Sequence, residues 1–130
     1  FHVAVRIREA ADGRRFRIYQ IQEPNNRHLV DIRFVEKLPS AQRISEILVA
    51  SPEELIALKV IVYHQRRGQP KSGTDWRDVA MLLLTFPELK NENGLVTERL
   101  HASHANDEVM KLWHELVNQN IQPENEDTEF

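Results

Sequence analysis

Cysteine is missing from this chain of 130 residues. Its absence excludes disulfides, thiolate metal sites and a catalytic thiol, and is compatible with a reducing compartment. Long apolar runs are missing too. None approaches the roughly 20 residues of a membrane span, and no secretory leader is visible. A cytoplasmic location without membrane contact is therefore expected. Glycine is scarce, with four in all, and none builds a phosphate-cradling loop. Neither a G-x-S-x-G turn nor a nucleophile–base motif occurs, so histidine-based hydrolysis has no support. The chain opens at Phe1 without Met, already inside an alternating pattern, so further residues are expected upstream.

What is present suffices for one domain. Apolar residues make up 41%, enough for a core. The net charge is −3 but unevenly spread. Residues 1–43 hold nine Lys or Arg against five Asp or Glu, and residues 91–130 hold two against nine. An arginine-rich first third suits a polyanion. Arginines are equally ordinary on the open face of a sheet, and no dense basic run occurs.

Strand patterns come first. FHVAVRIRE at 1–9 alternates, with Phe1, Val3, Val5 and Ile7 on one side and His2, Arg6 and Arg8 on the other. The Ala-Asp-Gly turn at 11–13 leads to a strand at 15–22, giving a hairpin. A third strand is expected at 28–35, with Val30, Ile32 and Phe34 on one face and Leu29, Asp31, Arg33 and Val35 on the other. Residues 44–50 read as one short strand. Helices follow. Ser51, Pro52 and Glu54 mark the start of a helix with a capping box. Its apolar stripe is Leu55, Ile56, Leu58, Ile61 and Val62, and it ends near Gly68 with Pro70 beyond. Thr74 is the expected cap of a second helix reaching about Leu84, with Val79, Leu82 and Leu83 inward. Short helices are expected at 86–89 and 95–102. Asn106-Asp107 opens a last amphipathic helix carrying Val109, Met110, Leu112, Trp113 and Leu116. The acidic segment 121–130 is expected to be a flexible tail. Strands followed by helices predict an α+β fold, an antiparallel or mixed sheet of three to four strands and then a helical half.

A few residues stand out chemically. Asp31 sits among apolar residues in a strand, where a carboxylate needs a partner. Either an arginine such as Arg33 on the same face supplies it, or Asp31 is a metal ligand, since Mg²⁺ wants oxygens held in place. Lys59, Tyr63 and Arg66 or Arg67 share one side of the long helix at spacings of three and four. They lead to Lys71. This is either a solvated stripe of long side chains or a triphosphate contact, because ammonium and guanidinium groups match phosphate oxygens. Asp75 and Asp78, three apart, suit a helix start and can pair with Arg66, Arg67 or Arg77 to lock the loop. His101 and His104 have a metal-compatible spacing but no third ligand. Trp76 and Trp113 read as packing residues.

The texts HLVDIRF and ILVASPEELIALKVIVYHQRRGQPKSGTDWRDVAMLL resemble the later part of a nucleotidyltransferase of the AbiEii/AbiGii abortive-infection type. The resemblance rests on an apolar-Asp-apolar strand, a helix opening Ser-x-x-[Asp/Glu]-Leu with Ala-Leu-Lys inside, and a basic loop leading into Asp-x-x-Asp. It covers about 50 of the 130 residues. It implies a nucleotidyltransferase-like domain over 1–120. The implied reaction moves a nucleoside monophosphate from a nucleoside triphosphate, with Mg²⁺, onto a nucleic acid (tRNA-like RNA) or protein acceptor. An antitoxin partner is implied as well. Asp31 becomes a metal-site carboxylate and catalytic residue. Lys59 becomes a catalytic and phosphate-binding residue beside Tyr63, Arg66, Arg67 and Lys71, with Asp75 and Asp78 in support. One departure stands out. The family's Gly-Ser or Gly-Gly followed by Asp-x-Asp has no counterpart in these residues, so the resemblance implies that this pair lies upstream of Phe1. The alternative is a non-catalytic relative that binds RNA or a partner protein through its arginine-bearing strands.

Overall fold

A computed structural model describes residues 3–124 of the chain. Phe1 and His2 of the first expected strand, and Glu126, Asp127 and Glu129 of the acidic tail, lie outside the described residues. The fold is α+β, as the order of patterns predicts. The chain forms two compact units, Phe1–Leu38 and Pro39–Phe130.

The first unit is a three-stranded antiparallel sheet of β1 (Val5–Glu9), β2 (Arg15–Gln20) and β3 (Arg27–Arg33), in that spatial order. Period-two alternation sorts its side chains by face. One face carries Ile7, Ile18 and Val30 in a row across the strands, with Phe16 opposite Ile32. Phe16 and Phe34 meet edge to face at 5.6 Å. The half-burial expected for this sheet is not found: Ile7 is 62% exposed and Val5 48%. Three strands supply one layer, and within this unit no second layer packs on it. The register shifts between Ile18 and Tyr19, and the extra residue on β3 at Leu29 is a β-bulge.

The second unit begins with a hairpin where a single strand is expected. β4 (Ala41–Ile44) and β5 (Ile47–Ala50) pair antiparallel around Ser45 and Glu46. Ser45 adopts the left-handed φ of 54° that a two-residue turn demands. Four helices follow, α1 (Pro52–Gln65), α2 (Ser72–Thr85), α3 (Leu95–Ala102) and α4 (Asp107–Asn118), with a 3₁₀ turn at Pro87–Leu89.

Ser51 is the N-cap of α1, but the expected capping box does not form. Its hydroxyl instead donates to Ser40 Oγ at 3.0 Å, tying the helix start to the hairpin. The inward face of α1 is Ile56, Ala57 and Val60, while Leu58 is 41% exposed. The buried stripe is thus centred one residue position away from the expected one. Small Ala57 marks the true inside, where a neighbouring helix approaches closely. Helix α2 starts before Thr74, with Lys71 as N-cap. The N–H groups of Ser72, Gly73 and Thr74 donate to the carbonyls of Gln69, Pro70 and Lys71, so the chain is already wound when it reaches Thr74. Asn106 Oδ1 accepts the Val109 N–H at 2.9 Å and caps α4 as expected.

The buried core joins Ile56, Ala57 and Val60 to Val79, Leu83, Leu89, Val96, Leu100, Val109, Leu112, Trp113 and Leu116. Trp113 is buried, and its Nε1–H donates to Thr97 Oγ1 at 3.1 Å. Trp76 packs against the edge of the same core.

Candidate functional site

The α1–α2 corner gathers four basic residues of the helical unit, Lys59, Arg66, Arg67 and Lys71. On α1, Lys59, Tyr63 and Arg66 lie one above another at spacings of four and three. Gly68 takes a left-handed φ of 86°, which lets the chain leave α1 and turn toward α2. Arg66 Nη1 donates to Asp75 Oδ1 at 3.2 Å, and the Asp75 side chain is only 3% exposed. Lys59 Nζ donates to Asp78 Oδ2 at 2.8 Å, with both side chains about two-fifths exposed. The Arg67 guanidinium lies 5.8 Å from the Tyr63 ring centroid, a cation–π contact. Lys71 is exposed at the start of α2. Among the described residues Arg67 and Lys71 have no carboxylate partner. An arriving anion would meet them directly, and would reach Lys59 only by sharing it with Asp78.

In the sheet unit, Asp31 stands directly across from Arg17. Arg17 Nε donates to Asp31 Oδ1 at 2.7 Å and Nη2 to Oδ2 at 3.3 Å. His28 Nε2 lies 2.9 Å from the same Oδ1. Residues three apart in a regular strand point to opposite faces, so this contact depends on the bulge at Leu29. The hydrogen bonds from Arg17 hold the Asp31 carboxyl below its ordinary value. Desolvation opposes them, and His28 adds to the lowering.

A family model described as the nucleotidyl transferase AbiEii toxin of type IV toxin–antitoxin systems matches residues 2–127. The chain belongs to the AbiEii family. No curated protein and no solved structure matches it. The match extends the sequence resemblance from residues 31–83 to nearly the whole AbiEii chain, and with it the description as a nucleotidyltransferase-type toxin. No helix among the described residues is long and apolar enough to cross a membrane.

Within this AbiEii chain, sequence reasoning places the corner residues together, and they are together. It offers Arg66, Arg67 or Arg77 as partners of Asp75 and Asp78, and of these Arg66 takes Asp75. It misses that Asp78 takes Lys59, while Arg77 reaches Glu124 at 3.5 Å. The expected pairing of Asp31 with an arginine is found; the arginine is Arg17 on the adjoining strand rather than Arg33, and His28 adds a second contact. Arg17 is within reach of a careful count along the β2–β3 hairpin, because antiparallel register sets it opposite Asp31. His28 carries no such signal. Among the described residues no group of three His, Asp or Glu is arranged to hold a metal ion. Asp31 alone, with both oxygens facing a guanidinium, does not fit Mg²⁺, which takes near-octahedral oxygen ligands. His101 and His104 likewise form no such group.

Proposed function

We propose that this chain serves the transfer of a nucleoside monophosphate from a nucleoside triphosphate to a hydroxyl of a nucleic-acid or protein acceptor. The observation that carries the proposal is the α1–α2 corner, where two carboxylates engage Lys59 and Arg66 while Arg67 and Lys71 stand beside them without a carboxylate partner among the described residues. In this reaction an acceptor oxygen bonds to the α-phosphorus, the bond to pyrophosphate breaks, and the acceptor hydroxyl passes its proton to water. Negative charge builds on the leaving pyrophosphate, and fixed cations stabilise it. Arg67 and Lys71 meet the phosphates, with the Tyr63 ring steadying Arg67. Asp78 orients the Lys59 ammonium, and the buried Asp75 anchors Arg66 and hence the loop. Asp31 enters as a catalytic carboxylate only by the resemblance of its apolar-Asp-apolar strand to the family's. The Mg²⁺ of the family's reaction stays part of the proposal. Asp31 does not hold it alone, and the cations of the corner meet the phosphates without depending on it.

The test is calorimetric titration of nucleoside triphosphates into the full-length protein, beside a transfer assay with α-labelled triphosphate. Lys59→Ala is expected to weaken binding about tenfold or more, the value of a charge-assisted hydrogen bond of about 1.5–3 kcal/mol. Asp31→Ala is expected to abolish transfer while binding persists. Wild-type behaviour in both variants would falsify the proposal.

A further inference from the structure

The face of the β1–β2–β3 sheet opposite the apolar one carries five exposed arginines, Arg6, Arg8, Arg15, Arg17 and Arg33. Register places Arg8 directly across from Arg17, Arg15 across from Arg33, and Arg6 across from Tyr19. Like charges opposed across strands destabilise a sheet, so two arginine pairs on one face do not serve its folding. Asp31 is the one carboxylate that register assigns to this face. Arg17 is engaged by Asp31, and Arg15 lies 3.5 Å from Asp12 in the adjoining turn. Arg6, Arg8 and Arg33 have no carboxylate partner among the described residues. A cleft of about 400 Å³ opens beside the β1–β2 turn, where Arg8, Arg15, Arg17 and Arg33 line it together with two carboxylates, Glu9 and Asp31. From this arrangement we infer that the arginine face is a docking surface for single-stranded nucleic acid.

Three features favour that occupant. Guanidinium forks match phosphate oxygens in pairs. Same-face residues on one strand repeat at about 7 Å, of the order of one nucleotide step in an extended strand. Tyr19 and His28 lie on this face with ring centroids 5.7 Å apart and planes tilted by 45°, two separate ring surfaces against which unpaired bases can stack. Duplex bases are already stacked on each other and offer no such face. An acidic protein would use the arginines but would have no need of the aromatic pair. The inference stands apart from the transfer reading: a protein that binds nucleic acid without transferring nucleotides leaves it intact.

The experiment is fluorescence anisotropy of the full-length protein with an end-labelled 20-nucleotide uridine RNA over a salt series. The same RNA in duplex form and a polyglutamate peptide serve as competitors. The wild type is expected to lose affinity linearly in log salt. Arg6→Ala, Arg8→Ala and Arg33→Ala together are expected to weaken binding at least tenfold and to flatten the slope by about two, at about 0.7 per phosphate lost. The triple lysine variant keeps the charge and is expected to keep the slope, which separates lost contacts from misfolding. Tyr19→Ala is expected to weaken single-strand binding at least fivefold with the slope unchanged. Lys111→Ala, on the exposed side of α4, is expected to match the wild type. Unchanged affinity in the triple alanine variant overturns the inference. Equal competition by polyglutamate also overturns it and points to an acidic protein. Equal competition by the duplex, or no effect of Tyr19→Ala, overturns the single-strand assignment.

Discussion

Asp31 is the residue whose chemistry the sheet alters most clearly. Its carboxyl is lowered from the ordinary 3.8 first by hydrogen bonds from Arg17, against desolvation and with help from His28. Arg17 is raised in turn, chiefly by its hydrogen bonds to Asp31, so it stays charged at any pH the protein meets. A carboxyl held lower in the folded state than in the unfolded one contributes stability above the unfolded value. That contribution fades as pH falls through the lowered folded value. The pair is exposed, so the contribution is screened by solvent. The direct readout is the carboxyl ¹³C shift of Asp31 followed by NMR from pH 6 downward. Its midpoint is expected below 3.8 in the wild type and higher in Arg17→Ala. A wild-type midpoint at or above 3.8 would show that Arg17 does not hold Asp31 in solution.

Among the elements, α1 and α2 carry two ion pairs that look alike in sequence and differ in consequence. Asp75 is 3% exposed and depends on Arg66, whereas Lys59 and Asp78 stand about two-fifths exposed. Removing one partner of a buried pair leaves a charge without water or counterion. Arg66→Ala is therefore expected to destabilise the protein by about 1–3 kcal/mol, the cost of an unsatisfied buried polar group. Lys59→Ala is expected to cost no more than about 1 kcal/mol, as exposed pairs do. Urea denaturation at neutral pH measures both. If the ranking reverses, Asp75 is not the anchor of the loop. The two pairs also mark how far local sequence reading extends. Asp75 and Arg66 flank one loop, so their meeting follows from the turn at Gly68. Asp78 and Lys59 meet only because α2 packs back along α1, a matter of helix crossing that local spacing does not encode. The β4–β5 hairpin is hidden in the sequence for a related reason. Its turn places Ser45 in the left-handed region, where Gly, Asn or Asp is the usual signal. The His28–Asp31 contact needs a bulge, and no residue in that stretch announces one.

Across the whole molecule, burial is lopsided. Every apolar side chain of the described core belongs to the unit Pro39–Phe130. The sheet of the other unit exposes Val5, Ile7, Val30, Ile32 and Phe34. Strand alternation foretells which residues share the apolar face, because that follows from backbone geometry alone. Whether that face is covered depends on a second layer, which alternation does not specify. Local stability follows buried apolar contact, since segments without it open without global unfolding. Amide hydrogen exchange is expected to reflect this, with α1 and α4 exchanging at least tenfold more slowly than β1 and β3. Trp113→Ala removes the largest fully buried side chain, at a cost of about 3–5 kcal/mol for such a truncation. Because α1, α2, α3 and α4 share one core, their slowest amides are expected to lose protection together in that variant rather than in α4 alone. Loss confined to α4 would mean that the helices open separately. Strand amides as protected as those of α1 would mean that the apolar face of the sheet is covered in solution.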